Sequence, residues 1–223
     1  MQDKGFRRGW ALLLAAGLVG WSFVIPRIPT RWRLPMQAGV GGLLVLVTRP
    51  ALGLWPPRLW AGLRLGLAAG SAAAGAVLAA TSIPGVRLSM IGRELPAPAS
   101  AWLAVQIPLG TVWAEEAAFR GALATVAARA YGASGARLLQ SAAFGLSHIP
   151  DARAAGEPVL ATVLATGGAG WVFGWLAERS GSLGAPMLAH VAINEAAAAA
   201  ALSVQRRSRL VVLTTDVADG VVR

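Results

Sequence analysis

Apolar positions in this chain run on in long blocks, parted by short stretches that hold proline, glycine or arginine. Seven blocks stand out, at 10–25, 36–48, 59–83, 99–131, 134–149, 158–177 and 183–204. With their flanks, most come near the ~20 residues an α-helix needs to cross a bilayer. The pattern predicts an all-α, polytopic transmembrane bundle of about seven helices. Gly132, Pro150 and the pair Gly181-Ser182 punctuate the later blocks. Pro108 predicts a kink inside the fourth. The small-residue run 68–75 in the third would let a neighbouring helix approach closely. Residues 84–98 read as a polar, proline-containing loop. The first block follows a short basic stretch, as in a signal peptide, but Pro26-Arg27-Ile28-Pro29 offers no small-residue cleavage site. It is expected to stay as the first helix, with the N-terminus cytoplasmic. The expected organisation is N-terminal helices over 1–98, a core over 99–204 and a weakly ordered polar tail over 205–223.

Composition agrees with a lipid solvent. Apolar residues make up 56% of the 223 positions and charged residues only 13%, about half the share usual in water-soluble domains. The net charge of +10 suggests nucleic acid at first sight. The arginines, however, are scattered at block ends such as Arg27, Arg49, Arg58, Arg137 and Arg179, where they anchor helix ends among headgroups. Nucleic acid is therefore not an expected partner; the bilayer is. The absence of cysteine removes disulfides, thiolate metal sites and a cysteine nucleophile. A single lysine among many arginines, alanines and glycines fits a GC-rich genome, hence a bacterial cell membrane.

A charge at membrane depth costs about 2.5–3.5 kcal/mol and usually marks function. Three places carry polar groups there. In Glu115-Glu116-Ala117-Ala118-Phe119-Arg120 the spacing sets Glu116 and Arg120 on one helix face as an ion pair. Glu115 lies about 100° round the helix, free for other work. Phe144-Gly145-Leu146-Ser147-His148 and His190-Val191-Ala192-Ile193-Asn194 hold the only two histidines. A carboxylate beside an imidazole can deprotonate water and return the proton to a leaving amine. A second imidazole and an Asn amide can donate to the oxyanion that forms when water attacks a carbonyl. These group types fit acyl hydrolysis.

In these three motifs the chain resembles the CPBP family of intramembrane proteases, the CAAX prenyl protease and bacteriocin-processing group, whose members carry EExxxR, FxxxH and HxxxN in that order. The resemblance covers about 99–200. It implies that Glu115 and His148 activate the water, that His190 and Asn194 stabilise the oxyanion, and that Glu116, Arg120 and Phe144 support and position. It also implies a bundle around a water-accessible cavity, and an endopeptidase acting on a membrane-associated protein or peptide, as in CAAX-box protein maturation. The expectation is that no metal is tightly bound. Glu115, His148 and His190 form the alternative ligand set for zinc, although no HExxH is present.

Competing readings use fewer of these residues. Gly132-Ala133-Ser134-Gly135 fits the rhomboid GxSG but would leave Glu115, Glu116, His148 and Asn194 idle. Aspartyl chemistry needs two membrane-embedded Asp residues, and Asp3, Asp151, Asp216 and Asp219 fall in predicted loops or termini. A non-catalytic scaffold or immunity protein of the same fold, or a proton-relaying transporter, would use the polar groups without hydrolysis. Glu195 is a further acid at helical depth with no assigned role.

Overall fold

The computed structural model describes the backbone of residues 2–221 and the side chains of 4–209. Among the described residues all regular structure is helical. Helix α1 spans Gln2–Val24 and turns through Ile25–Arg27 into α2, Thr30–Thr48. Helix α3 spans Arg58–Ala80 and is followed by the short α4, Pro84–Ile91, inside the stretch predicted as loop. The next stretch begins at α5 (Ala99–Ala101), winds wide through Trp102–Trp113 and Glu116–Leu123, and continues as α6, Ala124–Ser147, which is two helices meeting at a kink at Gly132. Then come α7 (Ile149–Ala155), α8 (Val159–Ser180) and α9 (Gly184–Val221).

Four helices are long and apolar enough to cross a membrane, over Lys4–Arg27, Arg58–Ala80, Val159–Ser180 and Gly184–Arg209. The surface supports that reading. Leu13, Leu46, Leu67, Leu160 and Leu164 point outward while the interior is rich in alanine, so large apolar side chains meet lipid and small ones meet each other. The chain is an integral membrane protein.

Two local predictions were corrected. No sharp break occurs at Pro108; the missing N–H is absorbed in the wide π-type turns of Trp102–Trp113, a winding often found at functional sites. The boundary predicted at Gly132 is present as a kink between two helices, where its φ of 74° and ψ of 178° suit glycine and little else. The expected tail is not separate, because the α9 backbone stays helical to Val221.

Close helix packing begins before the small-residue run at 68–75 and takes in its Gly70. Gly62, Gly66 and Gly70 form a ridge without side chains along α3, and α9 lies in it. A Cβ added at Gly66 would sit 2.8 Å from the Ala185 carbonyl oxygen, and one at Gly70 would sit 3.0 Å from the Ala192 Cβ, whereas Gly75 faces open space. This seam fixes the helix that carries His190. Two more approaches fix the rest of the site. At Gly145 a Cβ would meet the Val163 oxygen at 2.6 Å, which joins α6 to α8; at Gly41 one would meet the Ala114 Cα at 3.2 Å, which joins α2 to the acidic segment.

Candidate active site

The wide turn Glu116–Leu123 is buried along its whole length. Its Glu116 and Arg120 side chains have no exposed surface, and Arg120 Nη1 donates to Glu116 Oε1 at 3.1 Å, the ion pair predicted from the four-residue spacing. The Arg120 guanidinium sits in an aromatic cage, its Cζ 4.0 Å from the Phe144 ring centre, 5.1 Å from Phe173 and 6.0 Å from Phe119. A buried cation thus has one carboxylate and three ring faces as partners.

The same Glu116 oxygen accepts from His190 Nδ1 at 2.8 Å. The bond spans 74 residues of sequence, so the local spacing that paired Glu116 with Arg120 gave no sign of it. It commits the Nδ1 proton of His190 to Glu116 and leaves Nε2 as the working nitrogen. That nitrogen lies 3.8 Å from Glu115 Oε2, too far for a direct hydrogen bond. Glu115 Oε2 is buried without a partner, yet the side chain as a whole keeps 25% of its surface. Glu115 therefore has one oxygen turned toward His190 and the rest accessible.

His148 arises from a helix end. Pro150 has no N–H, and α6 stops at Ser147, which leaves carbonyls without helical partners. His148 Nδ1 donates to the Phe144 carbonyl at 2.7 Å, and Ser147 Oγ donates to it at 2.8 Å. A carbonyl only accepts, so the His148 proton is on Nδ1 and Nε2 is the free nitrogen. The Phe144 ring meets His148 edge-on at 4.7 Å. In FxxxH, the aromatic residue thus supplies both a carbonyl and a ring.

Glu115 and His148 line one cavity of about 110 Å³, together with Ser147 and Asp151, Trp21 and Ser22 of α1, Ile25 of the turn that follows it, and Gln37 and Val40 of α2. That space has room for several water molecules. Asp151, assigned to a loop by the sequence, belongs to the first turn of α7 and lines this cavity. Gln37 and Ser22 carried no sequence signal beyond being polar residues in apolar helices. A wider cleft of about 310 Å³ at the other end of the bundle is lined by Arg58, Arg137 and Glu178 but by neither histidine.

Asn194 is half-buried one turn beyond His190, with no hydrogen-bond partner among the described residues. Glu195 is likewise half-buried without a partner there. Ser134 of the rhomboid alternative is exposed just past the Gly132 break and bonds to neither histidine. Among the described residues, no three His, Asp or Glu side chains converge closely enough to hold a metal ion. The alternative set Glu115, His148 and His190 is not gathered as a coordination sphere, and the chemistry below routes no step through a metal.

Residues 97–196, a little under half of the chain, match the family model described as type II CAAX prenyl endopeptidase Rce1-like. Over that segment the chain is similar to this family. No curated protein and no solved structure matches it. The matched segment contains all three motifs. Residues outside the match complete the surroundings: α1 and α2 wall the cavity with Glu115 and His148, and α3 holds α9.

Proposed function

We propose that the protein is an intramembrane endopeptidase that hydrolyses a peptide bond of a membrane-anchored polypeptide. The observation that carries the reading is the cavity lined by both Glu115 and His148; His190 does not line it, but its Nε2 lies 3.8 Å from Glu115 Oε2. A water held between the Glu115 carboxylate and His148 Nε2 loses a proton to one of them as its oxygen attacks the scissile carbonyl. Asn194 Nδ2 donates to the resulting oxyanion in any protonation state. His190 donates there only when it carries a second proton, because its first is committed to Glu116. Collapse of the tetrahedral species returns the abstracted proton to the leaving amine. Glu116, Arg120 and Phe144 hold the imidazoles and touch no reacting atom.

The substrate reading rests on the family description: a prenylated C-terminus of the CAAX type, reached from the bilayer between α1 and α2. The test uses purified protein in lipid nanodiscs with a farnesylated CAAX peptide and its unprenylated twin. Wild type is expected to cleave the farnesylated peptide, and Glu115→Gln and His148→Ala to lose about 10²–10⁴-fold in rate with unfolding temperatures near wild type. Equal cleavage by both variants and wild type sinks the hydrolase mechanism. Cleavage of neither peptide by wild type removes the prenyl assignment. Comparing the membrane-protein fragments of cells with and without Glu115 then identifies the bond.

A further inference from the structure

From the stacking at His190 we infer that Phe173, on a helix that carries none of the three motifs, is a positioning residue for this site; the inference rests on the hydrolase reading above. The Glu116 hydrogen bond holds His190 by one edge, and a ring held by one edge is still free to tilt about that bond. The tilt is removed by Phe173. Its ring stacks on the imidazole with centroids 5.0 Å apart and planes 26° from parallel, while Phe144 closes a second side edge-on at 6.2 Å and 89°. Arg120 also meets the Phe173 ring, its Cζ 5.1 Å from the ring centre. One buried ring, only 3% exposed, thus contacts both partners of Glu116.

The sequence of α8 is built to bring that ring in. Gly170, one turn before Phe173, faces the Phe144 ring at 3.0 Å and Arg120 Nη2 at 3.3 Å from where a Cβ would stand. Gly174, next to Phe173, faces Gln140 Nε2 at 2.7 Å. Gln140 is fully buried and donates to the Gly170 carbonyl at 2.9 Å, which fixes the height of α8 against α6. Side chains at 170 or 174 would push α8 outward and lift Phe173 from His190. The ring sets the direction of the His190 Nε2, the nitrogen that faces Glu115 across 3.8 Å.

The chain has two histidines, so selective histidine labelling gives an NMR spectrum of two imidazoles, and His148→Ala assigns His190. In Phe173→Leu the His190 ring signals are expected to lose their upfield ring-current shift and broaden, while those of His148 stay in place. Phe173→Tyr is expected to keep the wild-type pattern. With the farnesylated peptide, kcat should fall about 10–100-fold in Phe173→Leu with little change in KM, as for loss of alignment at a reacting centre, and recover in Phe173→Tyr. If Phe173→Leu lowers only the unfolding temperature, with His190 signals and kcat of the folded protein unchanged, Phe173 is a space-filler and the inference is overturned. If His190 signals respond as expected but no form of the protein cleaves the peptide, the positioning stands and the prenyl assignment fails on its own.

Discussion

One oxygen of Glu116 receives both the Arg120 guanidinium and the His190 ring, and its other oxygen has no partner. Adjacent Glu115 keeps a quarter of its side-chain surface and makes no hydrogen bond among the described residues. Neighbouring carboxylates thus differ in kind, and their substitutions should differ accordingly. Arg120→Met leaves Glu116 charged and uncompensated in the interior, a change that costs about 3–5 kcal/mol when one member of a buried pair is removed. Denaturant unfolding in bicelles should register that loss, while Glu115→Gln unfolds like wild type and fails only in cleavage. A stable Arg120→Met protein would mean the pair is not structural. At this scale the sequence was informative about what is local. The Glu116–Arg120 pair follows from a four-residue interval, and the depth of both histidines from the apolar blocks around them. The Glu116–His190 bond, the Phe173 stack and the part of Asp151 in the cavity were not legible, because each depends on which helices become neighbours, and periodicity carries no such information.

Between elements, glycine decides how near two helices come. The sequence shows a small-residue block at 68–75, but a small residue is useful only on the face that meets a partner. That face is set by Gly62, Gly66 and Gly70, spaced by four. Gly66→Leu should lower stability by about 1–3 kcal/mol, the usual range for forcing atoms into a packed contact, and Gly75→Leu, which enters open space, should not. Steric-trapping or proteolysis of the two variants in bilayers separates them; equal losses would place the helix contact elsewhere. Likewise Pro108 announced an irregularity that the structure spreads over wide turns, and Gly132 announced a boundary that the structure shows as a kink between two helices.

For the molecule as a whole, the two ends of the bundle are distinguishable. Tyr131 Oη donates to the Arg8 carbonyl, which sets the Gly132 break beside the start of α1, whereas the cavity is walled by the far part of α1 at Trp21 and Ser22. The chain lacks cysteine, so single cysteines report cleanly. Ser134→Cys and Ser22→Cys should react with a membrane-impermeant thiol reagent from opposite sides of a sealed vesicle; labelling of both from one side would refute the crossing of α1. The all-helical, membrane-embedded character was legible from block length and composition. The pairing of helices was not, since the arginines mark both ends alike.

The glycine ridge of α3 also bears on how small a working version of this protein can be made. The family match ends at residue 196 and begins at 97, which invites trimming to that stretch. Such a fragment would keep every motif residue yet strip α9 of the surface against which Ala185, Ala189 and Ala192 rest, leaving the His190 turn to wander in lipid. Co-expressing residues 1–98 as a separate chain should restore it, as two halves clasp along the seam.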